Sequence, residues 1–500
     1  MEYFVPAWHN QLVDWAYNTP RIQFYDAINQ MRVLQDNHKK IGLVLTDYQP
    51  QLTTKLNQLA FSPDYLFSVY DYLQGISTLD NQILDITDFN WPEDAYFDYT
   101  LFRIIVISHN RLFAKLAFDT DGKILSITYF DENGQQTKTL MIDSRGFISS
   151  KQVGNEITYY DQIGHWRFKY NTENKNVVLN PTFNKCQYNQ YQNLNDLISE
   201  IFKREVLEKI KAKDHLIVSL DDKSLVPLNL YQNYKVIYSL NHWNKYTHSL
   251  LKIKDGQLIV DSRNEKERVE GLIGNRFSVV IMPPFQTQFK LGHSQRMKRQ
   301  MITVFAEHID YSDLKKIADI IYHRLIKAPK DEEVQFLTYT PNQSKLVTKV
   351  IDELKDEHKS EITINRKITN LDEAKIIDVK EVPNLIINQS RVTSIADLMH
   401  ILDKTRLLIS WTNGDDFLQA AAVSVGIPKV QDYETSTLVN DKNGKICKDF
   451  TELTQAISFY LDSLQNWNRA LVYNVKLLNL YSEKNLMKIW NRIFNGEAIK

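Results

Sequence analysis

The stretch Leu407 to Pro428, LLISWTNGDDFLQAAAVSVGIP, decides the fold class. An apolar run ending at Ile409 leads into a Gly-Asp turn (Gly414, Asp415). A small-residue helix from Ala420 to Val425 follows, and then Gly426-Ile427-Pro428 leading to Val430. Strand, turn, helix and strand in that order make one unit of a doubly wound parallel sheet, whose ligands lie at strand carboxyl ends and helix N-termini.

Outward from this unit, the same grammar fills the second half of the chain. Ile302 to Phe305, Val334 to Leu337 and Leu385 to Ile387 are short buried strands, and Lys445 lies in a last one. The first 100 residues alternate strands and amphipathic helices as well. Phe24 to Gln35 sets Ile28, Met31 and Leu34 or Gln35 on one stripe, and Ile41 to Leu45 follows as a buried strand. From Leu101 to Leu179 the period changes to two residues, with turns such as Asp119-Thr120-Asp121-Gly122, Asp131-Glu132-Asn133-Gly134 and Ser144-Arg145-Gly146. That pattern predicts an antiparallel meander. Helix returns at Asp196 to Lys213, capped by Asn195 or Asp196, and parallel strands return at His215 to Leu220, Lys235 to Leu240 and Val279 to Met282.

The expected architecture is α/β: two Rossmann-like halves, the first interrupted by an antiparallel β-sheet. Its expected parts are residues 1–100 and 195–290 for the N-terminal half, 101–194 for the inserted sheet, and 295–470 for the C-terminal half. Phe285 to Arg299 is polar and reads as a linker. The tail from Phe450 is helical, with Ile457, Leu461 and Leu464 on one stripe, and residues 471–500 are expected to hold a closing helix that crosses back.

Composition narrows the function. Sixty basic and 61 acidic side chains nearly cancel, so no long-range field draws in nucleic acid. No apolar stretch approaches the roughly 20 residues of a membrane helix, and Met1 to Pro6 lacks a positive n-region. The two cysteines, Cys186 and Cys447, have no ligand spacing around them, so no metal is expected and the chain reads as cytoplasmic and disulfide-free.

Few residues have the chemistry of a site. Asp415 and Asp416 stand where a transferase would work, but they also suit the N-cap of the small-residue helix, and the cap is the stronger reading. His109, His242 and His248 fall near predicted strand ends with no visible partner. Trp8-His9-Asn10-Gln11 fills the first strand-to-helix turn, where a phosphate cradle needs glycine. Lys203, Arg204, Lys209, Lys211 and Lys213 form a basic helical face, interleaved with Glu200, Glu205 and Glu208 so that it reads as internally paired. Tyr3, Phe4, Trp8, Trp15 and Tyr17 are read first as core packing, with a sticky groove as the alternative, and Asn443-Gly444 as a tight turn without chemistry.

The Leu407 to Pro428 unit resembles the donor site of retaining glycosyltransferases of the two-Rossmann-domain (GT-B) type. Those enzymes hold two glutamates eight residues apart in this unit, the second gripping the nucleotide ribose. Counted back from Pro428, the two places here hold Asn413 and Ala421. A methyl group accepts no hydrogen bond and asparagine carries no charge, so the nucleotide-sugar positions are degenerate.

Several stretches together resemble one family, the first of the three Asp proteins of the bacterial accessory Sec system. They are Tyr3-Phe4-Val5-Pro6-Ala7-Trp8 with Phe24 to Arg32, then Pro284 to Arg296, and Trp467 to Trp490, in that order over nearly the whole chain. The resemblance implies a GT-B-like body without transferase activity, cofactor or catalytic residues. It implies a part in exporting serine-rich-repeat adhesins, with the second and third Asp proteins, the accessory SecA motor and the glycosylated adhesin as partners. Peripheral contact with the inner face of the membrane is a further expectation. The alternatives are a drifted glycosyltransferase and a non-catalytic transferase subunit.

Overall fold

The computed structural model describes residues 1–9, 26–76, 82–100, 103–119, 121–183, 185–241, 244–282, 290–358, 363–365, 384–392, 395–412, 415–435 and 437–497. Two seven-stranded sheets, wholly parallel in the described pairings, form its two halves. In the first, the strands run Val279–Ile281, Gln257–Val260, Val236–Leu240, His215–Ser219, Glu2–Val5, Ile41–Leu45, Tyr65–Ser68. The order of the second is Thr363–Asn365, Asn384–Arg391, Glu332–Thr338, Gln300–Phe305, Thr405–Ser410, Lys429–Gln431, Gly444–Ile446. Strands buried on both faces must be apolar throughout, as Ile41–Leu45 is, with all five residues buried.

Each sheet has one strand from which the order departs in both directions, Glu2–Val5 in the first and Gln300–Phe305 in the second. Loops leaving neighbouring strands diverge there and open a crevice beyond the strand's carboxyl end.

Helix boundaries follow cap chemistry. Thr340 accepts from Gln343 N ahead of Pro341–Glu357, with proline in the first turn. The helix Asp416–Val425 stops at Gly426, whose φ of 82° is left-handed; a Cβ there would also run into Leu471 Cδ1. The helix expected over Asp196 to Lys213 starts earlier, at Leu194, and ends at Glu205. Its cap is Asn193, neither Asn195 nor Asp196: only Asn193 is extended (φ −149°) with its side chain accepting from Asp196 N.

Between the strands Tyr65–Ser68 and His215–Ser219 lies a ten-stranded antiparallel meander running from Tyr96–Tyr99 to Gln190–Tyr191. Its turns are set by aspartates that accept backbone N–H groups. Asp131 binds Asn133 N at 2.9 Å and Gln135 N at 2.8 Å while Gly134 takes a φ of 75°. The Gln190–Tyr191 end packs through Tyr159, Phe168, Val177 and Leu179 onto Leu194, Leu197 and Ile198 of the neighbouring helix. Arg145 ties the sheet to the first half, its guanidinium 2.8 Å from Asp71 and 2.7 Å from Asp143. The other end has a core of its own, in which Ile104, Val106, Leu116 and Ile127 are roofed by Trp91, stacked on Tyr129.

Residues 290–299 are not a free linker. Gly292 N donates to Val425 O at 3.1 Å, and His293 Nδ1 lies 2.8 Å from Asp403 Oδ1, which pins this segment to the second half. Residues 283–289 lie outside the described ones. The tail forms helices Phe450–Leu461, Leu464–Leu480 and Glu483–Phe494. The last helix returns to the first half and buries Leu486, Met487, Trp490 and Ile493 against Phe4, Ile28, Met31 and Leu34. Trp490 is 0% exposed, its ring edge-on to Phe4 at 6.4 Å.

Candidate functional site

In the first half an ion triad stands beyond Val5. The chain leaves Glu2–Val5 and reaches His9, while the two flanking strands, ending at Leu45 and Ser219, deliver Asp47 and Asp221. His9 Nδ1 lies 3.4 Å from Asp47 Oδ1 and Nε2 lies 3.2 Å from Asp221 Oδ1, the second contact being an ion pair without hydrogen-bond alignment. Asp221, then Asp47, push the imidazole up to about 9 against the opposing effect of burial. Asp221 is held below the usual carboxylate range; burial raises it, and His9 and Lys223 N more than offset that. Beside the triad Lys55 sits 5.1 Å over the ring of buried Trp8, and burial draws its ammonium down to about 8.

In the second half the crevice beyond Phe305 is occupied by the protein's own carboxylates. Glu307 Oε2 accepts from Tyr339 N at 2.6 Å and Thr340 N at 3.0 Å, at the N-terminus of the Pro341–Glu357 helix. Asp415 Oδ1 accepts from Leu418 N at 2.8 Å and caps Asp416–Val425. Asp432 Oδ1 accepts from Thr412 N at 2.7 Å. Burial, then Asp415 and Glu307, raise the Tyr339 phenol. Helix N-termini that would otherwise offer N–H groups and a positive dipole end to a phosphate thus face fixed negative charge.

Ala421 lies in that helix, 5% exposed, packed with Phe305, Leu408, Leu418 and Val425. Asn413, its partner in the degenerate pair, lies outside the described residues. Beneath the helix Lys429 Nζ is buried and bonded to Thr437 O (2.9 Å) and Oγ1 (2.7 Å). Asn443 is more than a surface turn residue: it is fully buried and donates to Thr437 O and Asn474 Oδ1.

Of the three candidate histidines, the two that are described are both exposed. His109 is exposed in a turn with a φ of 50°, 3.4 Å from Asp94. His248 is exposed on Thr247–Lys252, and His242 lies outside the described residues, as do Trp15 and Tyr17. Arg204 is paired with Glu200 and Glu205, and Lys209 with Glu205, so these members of the basic face are internally neutralised. Among the described residues no group of three or more His, Cys, Asp or Glu is placed to hold a metal. Sequence reasoning missed His9, Asp47, Asp221, Glu307 and Tyr339. Asp47, Asp221 and Glu307 each stand two residues past a buried strand, and that offset is the signal that finds them.

The family model for the first Asp protein of the accessory Sec system matches residues 1–497. The chain belongs to this family. It is 26% identical to the corresponding accessory Sec system protein of Streptococcus gordonii, over 98% of each chain. Its fold is like that in the crystal structure of accessory secretory protein 1, 2 and 3 in Streptococcus pneumoniae, with a TM-score of 0.79 at 24% identity over 99% of each chain. It is also like the pneumococcal O-GlcNAc transferase GtfA in complex with UDP and GlcNAc, with a TM-score of 0.66 at 10% identity over 99% of this chain and 98% of that one. The fold is therefore GT-B-like, and the expected membership of the accessory Sec system stands.

Proposed function

We propose that this protein is a non-catalytic component of the accessory Sec export system, one that holds a serine-rich-repeat glycoprotein and presents it to the accessory SecA motor. The observation that carries this reading is the self-capped second crevice. Glu307 and Asp415 accept backbone N–H groups at two helix N-termini where a phosphate could otherwise bind, and Ala421, which the resemblance assigns to the ribose-binding position, is a packed methyl group. A diphosphate brought there meets like charge in place of N–H donors, which disfavours donor binding in both ground and transition states.

The second and third Asp proteins are the partners this reading requires. Among the described residues no helix is long and apolar enough to cross a membrane. We read any contact with the membrane as peripheral, at its inner face. Titrating a panel of UDP-sugars calorimetrically into the protein should give no heat. Deleting its gene should abolish adhesin export while leaving the adhesin glycosylated.

The likeness to a transferase with UDP and GlcNAc in its site favours a second reading, in which the protein modifies the adhesin or serves as a non-catalytic transferase subunit. Turnover of a UDP-sugar, or loss of glycosylation in the deletion strain, would establish it in place of the first.

A further inference from the structure

The two ends of the ten-stranded meander are finished differently. At one end the Gln190–Tyr191 strand is two residues long, Tyr191 is buried, and its hydroxyl donates to Glu200 of the adjoining helix at 2.6 Å. That edge is closed. At the other end Tyr96–Tyr99 pairs, among the described residues, with Arg103–Ser108 on one side only. Its tyrosines are left in solvent, Tyr96 63% and Tyr99 68% exposed. Soluble proteins protect a free edge with lysine, proline within the strand, a bulge or a covering element, because unpaired N–H and C=O groups template a further strand.

The register says which groups are free. Thr100 N donates to Arg103 O at 3.0 Å, so the 100–103 pair is hydrogen-bonded. Bonded and non-bonded pairs alternate in an antiparallel ladder. Asp98 and Tyr96, opposite Ile105 and Ile107, therefore spend their backbone groups inside the sheet, and Phe97 and Tyr99 turn theirs outward. The charge of the edge segment itself is one-sided. Residues 82–100 hold Asp85, Asp88, Glu93, Asp94 and Asp98 and no lysine or arginine. Asp94 is spent on Ser108 Oγ (2.7 Å) and His109 N (2.6 Å), while Asp98 on the edge strand is exposed. A second copy of the same edge would set Asp98 among its own kind of charge, which counts against self-pairing.

We propose that Tyr96–Tyr99 is a docking edge for an extended, basic strand of another protein, which adds to the meander as an eleventh strand. Its backbone would bond to Phe97 and Tyr99, its lysines or arginines would lie along the acidic rim, and its side chains would cover the two tyrosines. The inference rests on the assembly reading above, since the strand's source is one of the other two Asp proteins.

The test uses the full-length chain and the purified second and third Asp proteins. Hydrogen exchange at the Phe97 and Tyr99 amides should slow at least tenfold on complex formation. Tyr99→Pro removes an outward N–H without touching the existing ladder, and Asp98→Lys reverses the rim charge. Each should weaken binding about tenfold or more and leave the melting temperature of the free protein within a degree or two, while Tyr99→Phe should bind as the parent does. Complex formation with unprotected amides and unchanged affinity in both variants overturns the docking edge and leaves the assembly reading standing. No complex with the parent chain overturns the assembly reading itself. Protection produced by raising the concentration of this chain alone would assign the edge to a second copy and overturn the heterologous strand.

Discussion

His9 Nε2 and Asp221 Oδ1 lie 3.2 Å apart, although their residues are 212 positions distant and the whole meander intervenes between them. The contact joins the loop leaving the first strand to the loop leaving the strand that follows the insertion, so charge ties the two sides of the switch point together.

That charge is pH-dependent. The folded pKa of His9, about 9, exceeds the ordinary 6.5, so the triad's contribution is fully present below pH 6.5 and is lost as pH rises through about 9. His9→Gln should lower stability at pH 6 by about 1 kcal/mol after solvent screening, and the gap to the parent should close by pH 10. Denaturant melts at half-unit pH steps read this directly; a gap independent of pH sinks the ion-triad account.

Trp490→Ala should cost roughly 3–5 kcal/mol, since a fully buried indole with Phe4 and Phe494 against it cannot be removed without a cavity. The urea midpoint is the measurement, and an unchanged midpoint means the helix is not docked in solution.

Ala421→Glu places an unpaired carboxylate among Leu408, Leu418 and Val425 and should destabilise by several kcal/mol. Any glutamate that is accommodated should titrate well above the usual carboxylate range and should still give no UDP-sugar turnover. Turnover in a folded Ala421→Glu protein would mean that one lost carboxylate is all that silences the site.

Asp415→Ala removes the cap on Leu418 N and should cost about 0.5–2 kcal/mol while leaving adhesin export intact. Thermal melts combined with an export assay separate a cap from a functional acid: a stable variant that no longer exports assigns Asp415 to function.

Periodicity made the parallel halves and the meander readable. Ile41–Leu45 and Thr405–Ser410 are apolar because both faces are covered, and the meander announces itself by alternation. The register-dependent features were not readable. The last helix shows a stripe in sequence, but whether Met487 or Ile489 faces the core depends on how the helix rolls on Phe4 and Met31; Met487 is the buried one and Ile489 only packs at the margin. The triad was hidden for a different reason. His9, Asp47 and Asp221 are each ordinary in their local sequence, and only the strand order brings them together.

The helix Glu483–Phe494 supplies four core residues to a half whose first strand begins at Glu2. During synthesis, the N-terminal half therefore lacks the side chains that Leu486, Met487, Trp490 and Ile493 lay against Phe4, Ile28 and Met31 until this helix has left the ribosome. Domains that fold as independent units are finished in order from the N-terminus. Here a helix made after the whole second half completes the first domain begun, so closure of the body comes late in translation, and a nascent chain stalled before Trp490 would display that apolar face to whatever chaperone is at hand.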